Sequence, residues 1–130
     1  MSVFENALFL KKRAIDFLEN GKRNFKEGKF DLAAFSLEQS VQLFLKYLIF
    51  QKKGDYPKTH SLKFLFKEIS KYIKDFEKIM KSNIEIIGDL ESAYIGARYL
   101  PIEFLKEEVE RMIDFSEKIK NLVEKYEKRL

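Results

Sequence analysis

Cysteine and tryptophan are absent from this 130-residue chain, and it holds one histidine, two prolines and five glycines. Without cysteine there are no disulfides, thiolate metal sites or cysteine nucleophile, which fits a reducing cytoplasm. A single histidine excludes a zinc site built from several imidazoles. The glycines are isolated, so no GxGxxG or GxxxxGK phosphate loop exists, nor a GxSxG elbow. There is no Glu-x-x-His pair of the kind that holds a di-iron centre in a bundle. No apolar run approaches the roughly 20 residues that cross a bilayer. The opening MSVFENALFLKKRA lacks the length and charge order of a signal peptide. No metal, cofactor or membrane is therefore expected.

What the chain does have is bulk and charge. Hydrophobic residues make up 45% and charged residues 35%, which suits one folded domain over 1–130 with a real core. Thirteen phenylalanines and six tyrosines supply large core pieces. The net charge of +4 is uneven: residues 11–30 carry seven basic and three acidic groups, and residues 46–81 carry ten and four. Phosphate-bearing partners are compatible with that, as is a solvated lysine-rich surface. Lysine (20) far exceeds arginine (5), and glutamate (15) exceeds aspartate (6), a balance similar to that of proteins from heat-loving organisms.

Every long segment shows helical periodicity and none reads as a strand. Phe4, Ala7, Leu8, Lys11, Ala14, Ile15 and Leu18 share one face of a first helix, with Gly21 as its stop. A second helix covers residues 30–50, with Asp31 in its first turn, and Gly54 and Pro57 end it. A third runs from Leu62 to Met80, capped by Ser61 or Thr59, and Ser82-Asn83 interrupts the pattern. A shorter fourth spans about Asp89 to Tyr99, and Pro101 opens a fifth. The fifth carries an apolar stripe from Ile102 and Leu105 to Tyr126, with i,i+4 pairs Glu107–Arg111, Asp114–Lys118 and Glu124–Lys128 on its exposed side. The fold class is all-α, an up-down bundle of four to five antiparallel helices. The second helix is apolar nearly all round, with Leu32, Phe35, Leu43, Tyr47 and Phe50 added to its main stripe. Such a helix is central to the bundle or part of a subunit interface, and a homodimer is expected.

Polar residues inside that helix need an account. Glu38, Gln42 and Lys46 are spaced i, i+4, i+8 and line one side. If buried, each needs a partner; if exposed, they are an ordinary polar stripe. Arg98, alone in the small-residue stretch Tyr94-Ile95-Gly96-Ala97-Arg98-Tyr99, is the expected counter-charge for Glu38. That pair would fix helix packing; alternatively, Arg98 contacts a phosphate or nucleotide. His60 sits where the third helix begins, as a cap or anchor, or as a general acid/base.

Three pieces in order resemble the HEPN family. The central helix matches y-x-x-A-x-F-x-x-Q-q-A-x-e-x-x-l-K from Phe30 to Lys46, with Ala33 or Ala34, Phe35, Glu38, Gln39 and Lys46 in place. A G…P-x-T-H-x-L connection is matched by Gly54, Pro57, Thr59, His60 and Leu62. Y-x-x-A-R-Y-P is matched by Tyr94, Ala97, Arg98 and Tyr99, with Pro101 displaced by Leu100. The resemblance implies a four- or five-helix bundle that pairs as a homodimer. Many relatives are metal-independent ribonucleases, often toxins, or accompany a small nucleotidyltransferase. The ribonuclease branch carries Arg-x(4–6)-His near its last helices, and no arginine here has a histidine at that spacing. His60 and Arg98 are then the only catalytic candidates. The expectation is a non-catalytic nucleotide- or RNA-binding or accessory module, acting with a minimal nucleotidyltransferase in a toxin–antitoxin-like pair. Its ligand-binding residues would be Glu38, Gln39, Lys46, His60, Arg98 and Tyr99. The alternatives are a divergent metal-independent endoribonuclease and a purely structural dimerisation bundle.

Overall fold

In the computed structural model, residues 3–128 are described, with side chains from Ala7 onward. Phe4 and Arg129 fall outside the described side chains. The described chain is all-helical: α1 Val3–Lys26, α2 Phe30–Lys53, α3 Leu62–Ser70, α4 Asp75–Ser82, α5 Ile84–Tyr99 and α6 Lys106–Tyr126. There are six helices rather than four or five. None is long and apolar enough to cross a membrane among the described residues.

The apolar excess of α2 is met by surrounding it. Ala33, Ala34, Leu37, Val41, Phe44, Leu45, Leu48 and Ile49 are fully buried, packed by α1, α3, α5 and α6. Contacts along α1 and α2 run in opposite directions: Phe25 meets Phe30, Asn20 Nδ2 donates to Ser36 Oγ, and Ser40 Oγ donates to the Ala14 carbonyl. The two helices are therefore antiparallel. Phe35 reaches Tyr94 and Arg98 at the far end of α5, so α5 is antiparallel to α2 as well. Lys11 pairs with Glu127 and Lys22 with Glu117, which sets α6 antiparallel to α1. The four long helices thus alternate in direction, with α3 and α4 inserted as two short turns of chain. Buried apolar side chains from all six form one cluster.

Tyr47 shows how the bundle closes. Its ring is buried, and a buried phenol needs a partner for its hydroxyl. The hydroxyl donates to Glu127 and accepts from Gln51 Nε2 at 3.1 Å. Lys11 Nζ donates to the other Glu127 oxygen at 2.9 Å, tying α1, α2 and the end of α6 together. Acidic groups of α6 therefore reach across to α1, and the within-helix pairs expected at Arg111, Lys118 and Lys128 are not formed.

Four boundaries differ from expectation, the simplest being that α5 begins at Ile84, five residues before Asp89. Gly21 does not stop α1; it lies in the helix interior, where a Cβ would sit 2.8 Å from Leu37 Cδ2. The stop comes at Gly28, whose φ of 75° suits glycine. The expected third helix is broken into α3 and α4. Ser70 Oγ donates to the Phe66 carbonyl at 2.5 Å, a back-bond that bends helices, and Tyr72 N–H turns to Ile69. The bend keeps both Phe66 and Phe76 in the core, rings 6.4 Å apart, while Tyr72 turns outward. Pro101 does not open the last helix. Residues 101–105 are irregular: Ile102 N–H turns back to the Leu100 carbonyl, and its side chain packs on Gly96, where any Cβ would collide with it. Helix α6 starts only at Lys106, with Glu108 Oε1 accepting the Leu105 N–H, and Leu105 is 65% exposed rather than on the apolar stripe. By contrast, Gly54 ends α2 as read, with φ 89° and its N–H on the Phe50 carbonyl.

Two glycines give opposite expectations for the same substitution. Gly21→Ala should destabilise by about 1–2 kcal/mol, since overpacking against Leu37 outweighs the helix-propensity gain. Gly88→Ala, in α5 with open space around its Cβ, should stabilise by about 0.5–1 kcal/mol. Urea unfolding of both variants checks the pair; equal signs would mean that the Gly21 contact does not govern α1–α2 packing.

Candidate functional site

One side of α2 carries Phe35, Glu38, Gln42 and Lys46. The polar members form a continuous chain. Lys46 Nζ donates to Gln42 Oε1 at 2.9 Å, and Gln42 Nε2 donates to Glu38 Oε2 at 2.9 Å. Gln39 Nε2 donates to Glu38 Oε1 at 2.8 Å. Glu38 is fully buried and Gln42 nearly so, while Lys46 is half-buried. Both Glu38 oxygens are thus satisfied from its own helix, as a buried carboxylate requires.

Burial pushes the Glu38 carboxyl up to about 7, against the hydrogen bonds from Gln42 and Gln39 and the attraction of Lys46. Repulsion from Glu91 on α5 adds to the rise. Burial lowers the Lys46 ammonium, and Glu38 partly restores it. Lys46 also lies 5.7 Å above the Tyr56 ring, which packs on Phe50. The loop after α2 is thereby pinned to the same side.

That loop brings His60 to α5. His60 is exposed and stacks on Tyr94, with ring centres 4.5 Å apart and planes at 14°. It does not cap α3; Ser61 Oγ accepts the Phe64 N–H, and Thr59 Oγ1 accepts the Ser61 N–H. Tyr94 stacks in turn on Phe35 at 6.3 Å. Arg98, one turn further along α5, lies 4.4 Å from the Tyr94 ring centre, 5.1 Å from that of Tyr99 and 5.8 Å from that of Phe35. Its Nε donates to the Tyr94 carbonyl at 3.1 Å.

The expected Glu38–Arg98 pair is not formed. Glu38 faces inward and spends its acceptors on Gln39 and Gln42, whereas Arg98 lies at the surface among rings. No carboxylate pairs with Arg98 among the described residues. Of the six residues singled out for ligand binding, Glu38, Gln39 and Lys46 are joined through Gln42, and His60, Arg98 and Tyr99 gather around Tyr94. Phe35 on α2 bridges the two groups. Sequence reasoning left Tyr94, Phe35 and Tyr56 out of the site. The Tyr94–Arg98 spacing of i, i+4 was the available signal for one of them.

His60 and Arg98 lean on the same tyrosine, so a guanidinium and an imidazole are both placed at the surface around Tyr94. Among the described residues no group of three or more His, Asp or Glu is placed to hold a metal.

A family model for the HEPN domain matches residues 7–126, nearly the whole chain. The chain belongs to the HEPN domain family. Among proteins with curated descriptions, none matches it in sequence. Within this HEPN domain, all three resembling segments converge: the α2 face, the Gly54-to-Leu62 connection and the end of α5.

The buried carboxylate gives a pH test. The folded-state value of Glu38, about 7, lies above its usual 4.5, so the folded chain holds the proton more tightly than the unfolded one. The associated stability is complete below about pH 4.5 and is lost as pH rises through 7. Glu38→Gln keeps the uncharged shape, and Gln39 can rotate its amide to accept. The variant should match the wild type at pH 5 and exceed it at pH 8 by on the order of 1–3 kcal/mol. Denaturant midpoints at the two pH values measure this; parallel pH profiles would show that Glu38 does not titrate as described.

Proposed function

We propose that this HEPN domain is a non-catalytic nucleotide- or RNA-binding module. The observation that supports it most is Arg98: an exposed guanidinium, steadied by three rings and a backbone carbonyl, with no carboxylate paired to it among the described residues. A guanidinium so placed suits a phosphate. The exposed His60 ring, stacked on the half-buried Tyr94 beside it, offers a face on which a base can stack. Family membership supports a nucleotide- or RNA-related role in general terms.

The module would act as a homodimer and together with a minimal nucleotidyltransferase, in a toxin–antitoxin-like arrangement. Support for pairing is the apolar surface near Arg98, where Ile95 and Tyr99 of α5, Leu100 just beyond it and Leu32 of α2 are 44–72% exposed. The resemblance to nucleotidyltransferase-associated relatives supports the partner. A divergent endoribonuclease is the second reading, favoured by one observation: His60 and Arg98 contact the same tyrosine, within reach of one phosphodiester. The absence of an Arg-x(4–6)-His motif weighs against it.

Calorimetric titration with AMP and with a short RNA is the direct test. Arg98→Ala should weaken AMP binding at least tenfold. The same proteins incubated with RNA should leave it uncut, and cleavage lost in both His60→Ala and Arg98→Ala would make the enzyme reading the correct one. Wild-type protein that binds neither AMP nor RNA, and that recovers no second protein from its host, would end the binding-module proposal.

A further inference from the structure

The outer face of α1 takes no part in the cluster around Arg98. It bears a shallow groove of about 540 Å³ lined by Phe9, Lys12, Arg13, Phe17 and Arg23, with Asp16 and Asn20 between them. Rings and cations alternate along it. Phe9 is 46% exposed. Arg13 holds its guanidinium carbon 4.7 Å from the Phe9 ring centre. Asn20 is fixed by donating to Ser36 Oγ at 2.9 Å, and its carbonyl accepts from Arg23 at 3.5 Å. Arg23 is thus oriented from α2 through Asn20.

None of Lys12, Arg13 or Arg23 forms an ion pair among the described residues, although Lys11 and Lys22 beside them do. The helix sorts its cations. Those facing α6 meet Glu117, Glu124 and Glu127, and those facing outward are left unneutralised. Against three cations the groove sets one carboxylate, Asp16. Arg13 and Arg23 lie about 15 Å apart along the helix axis, at 1.5 Å per residue, which is room for a few nucleotides.

We infer that this α1 face binds single-stranded nucleic acid, with the two arginines on phosphates a few nucleotides apart and the exposed Phe9 ring against an unstacked base. Phosphates supply the missing counter-charge. Exposed aromatic faces favour a single strand, because in a duplex the bases are stacked on one another. A second copy of this chain fits less well. A two-fold contact sets the same patch against itself, so it would oppose cations with cations. The inference is independent of the Arg98 cluster, which lies on the α2–α5 side.

The test uses a fluorescein-labelled 12-nucleotide oligouridylate, read by anisotropy across a range of salt. Arg13→Gln with Arg23→Gln should weaken binding at least tenfold and flatten the log–log salt slope by about 1.4, as two lost phosphate contacts on a single strand would. Phe9→Ala should weaken it threefold or more. A charge-matched control, Lys78→Gln with Lys106→Gln, should change it less than twofold. AMP binding by the arginine variant should be unchanged, which separates this face from the Arg98 site. The matching DNA oligomer and a duplex form further arms, with the duplex expected to bind several-fold more weakly. Affinity within twofold of wild type in the double arginine variant would overturn the inference. So would an equal loss in the lysine control, a duplex bound as tightly as the single strand, or a dimer that the arginine substitutions split in sedimentation, which would mark the face as a chain–chain seam.

Discussion

A helix that is apolar on all sides has to be enclosed, and the rest of this bundle is arranged to enclose α2. Four neighbours pack around it, and eight of its apolar side chains have no exposed surface. Close approach is needed on one side, and Gly21 supplies it by leaving room for Leu37. On another side the Tyr47 hydroxyl is satisfied by Glu127, which recruits the end of α6. Enclosure also explains the polar chain. Inside such a helix a carboxylate cannot turn to water, so Glu38 takes its donors from one residue on and one turn on, and the charge balance comes from Lys46 at the partly open end.

That internal satisfaction has a consequence at the surface. Because Glu38 is bonded within α2, Arg98 is not drawn inward as its counter-ion. The arginine stays outside, bracketed by Phe35, Tyr94 and Tyr99. Rings hold a guanidinium in place while leaving its N–H groups open to a ligand, whereas a carboxylate would occupy them. Two glutamine amides of α2, from Gln39 and Gln42, thus take the place at Glu38 that a packing arginine would have filled.

Much of the fold was legible because helical periodicity is a local property. Asp31 at the start of α2, Gly54 at its end and the Ser82-Asn83 interruption all read correctly from neighbours in sequence. What failed was decided by distant contacts. Gly21 looks like a stop until Leu37 is seen beside it, and Pro101 looks like a start until Ile102 is seen against Gly96. The break at Ser70 hides in an unbroken apolar stripe, because a back-bonded serine leaves periodicity intact. The site divides along the same line. The Glu38–Gln42–Lys46 chain is an i, i+4 pattern and could be read directly. The His60–Tyr94 stack joins residues 34 apart, and no local rule brings them together.

Exposed clusters are often loosely held, and this one is held at both of its roots. Phe35 and Tyr94 belong to α2 and α5, whose inner faces are locked in the core. His60 comes from a connection, yet that connection is fixed at three points: the left-handed Gly54, the packing of Tyr56 on Phe50, and the Ser61 cap of α3. The proposed binding groups His60 and Arg98 are therefore already placed, so ordering them would cost little of the binding energy. The same stacking that fixes both groups is what the proposed binding reading rests on: a phosphate on the Arg98 guanidinium and a base against the exposed His60 ring.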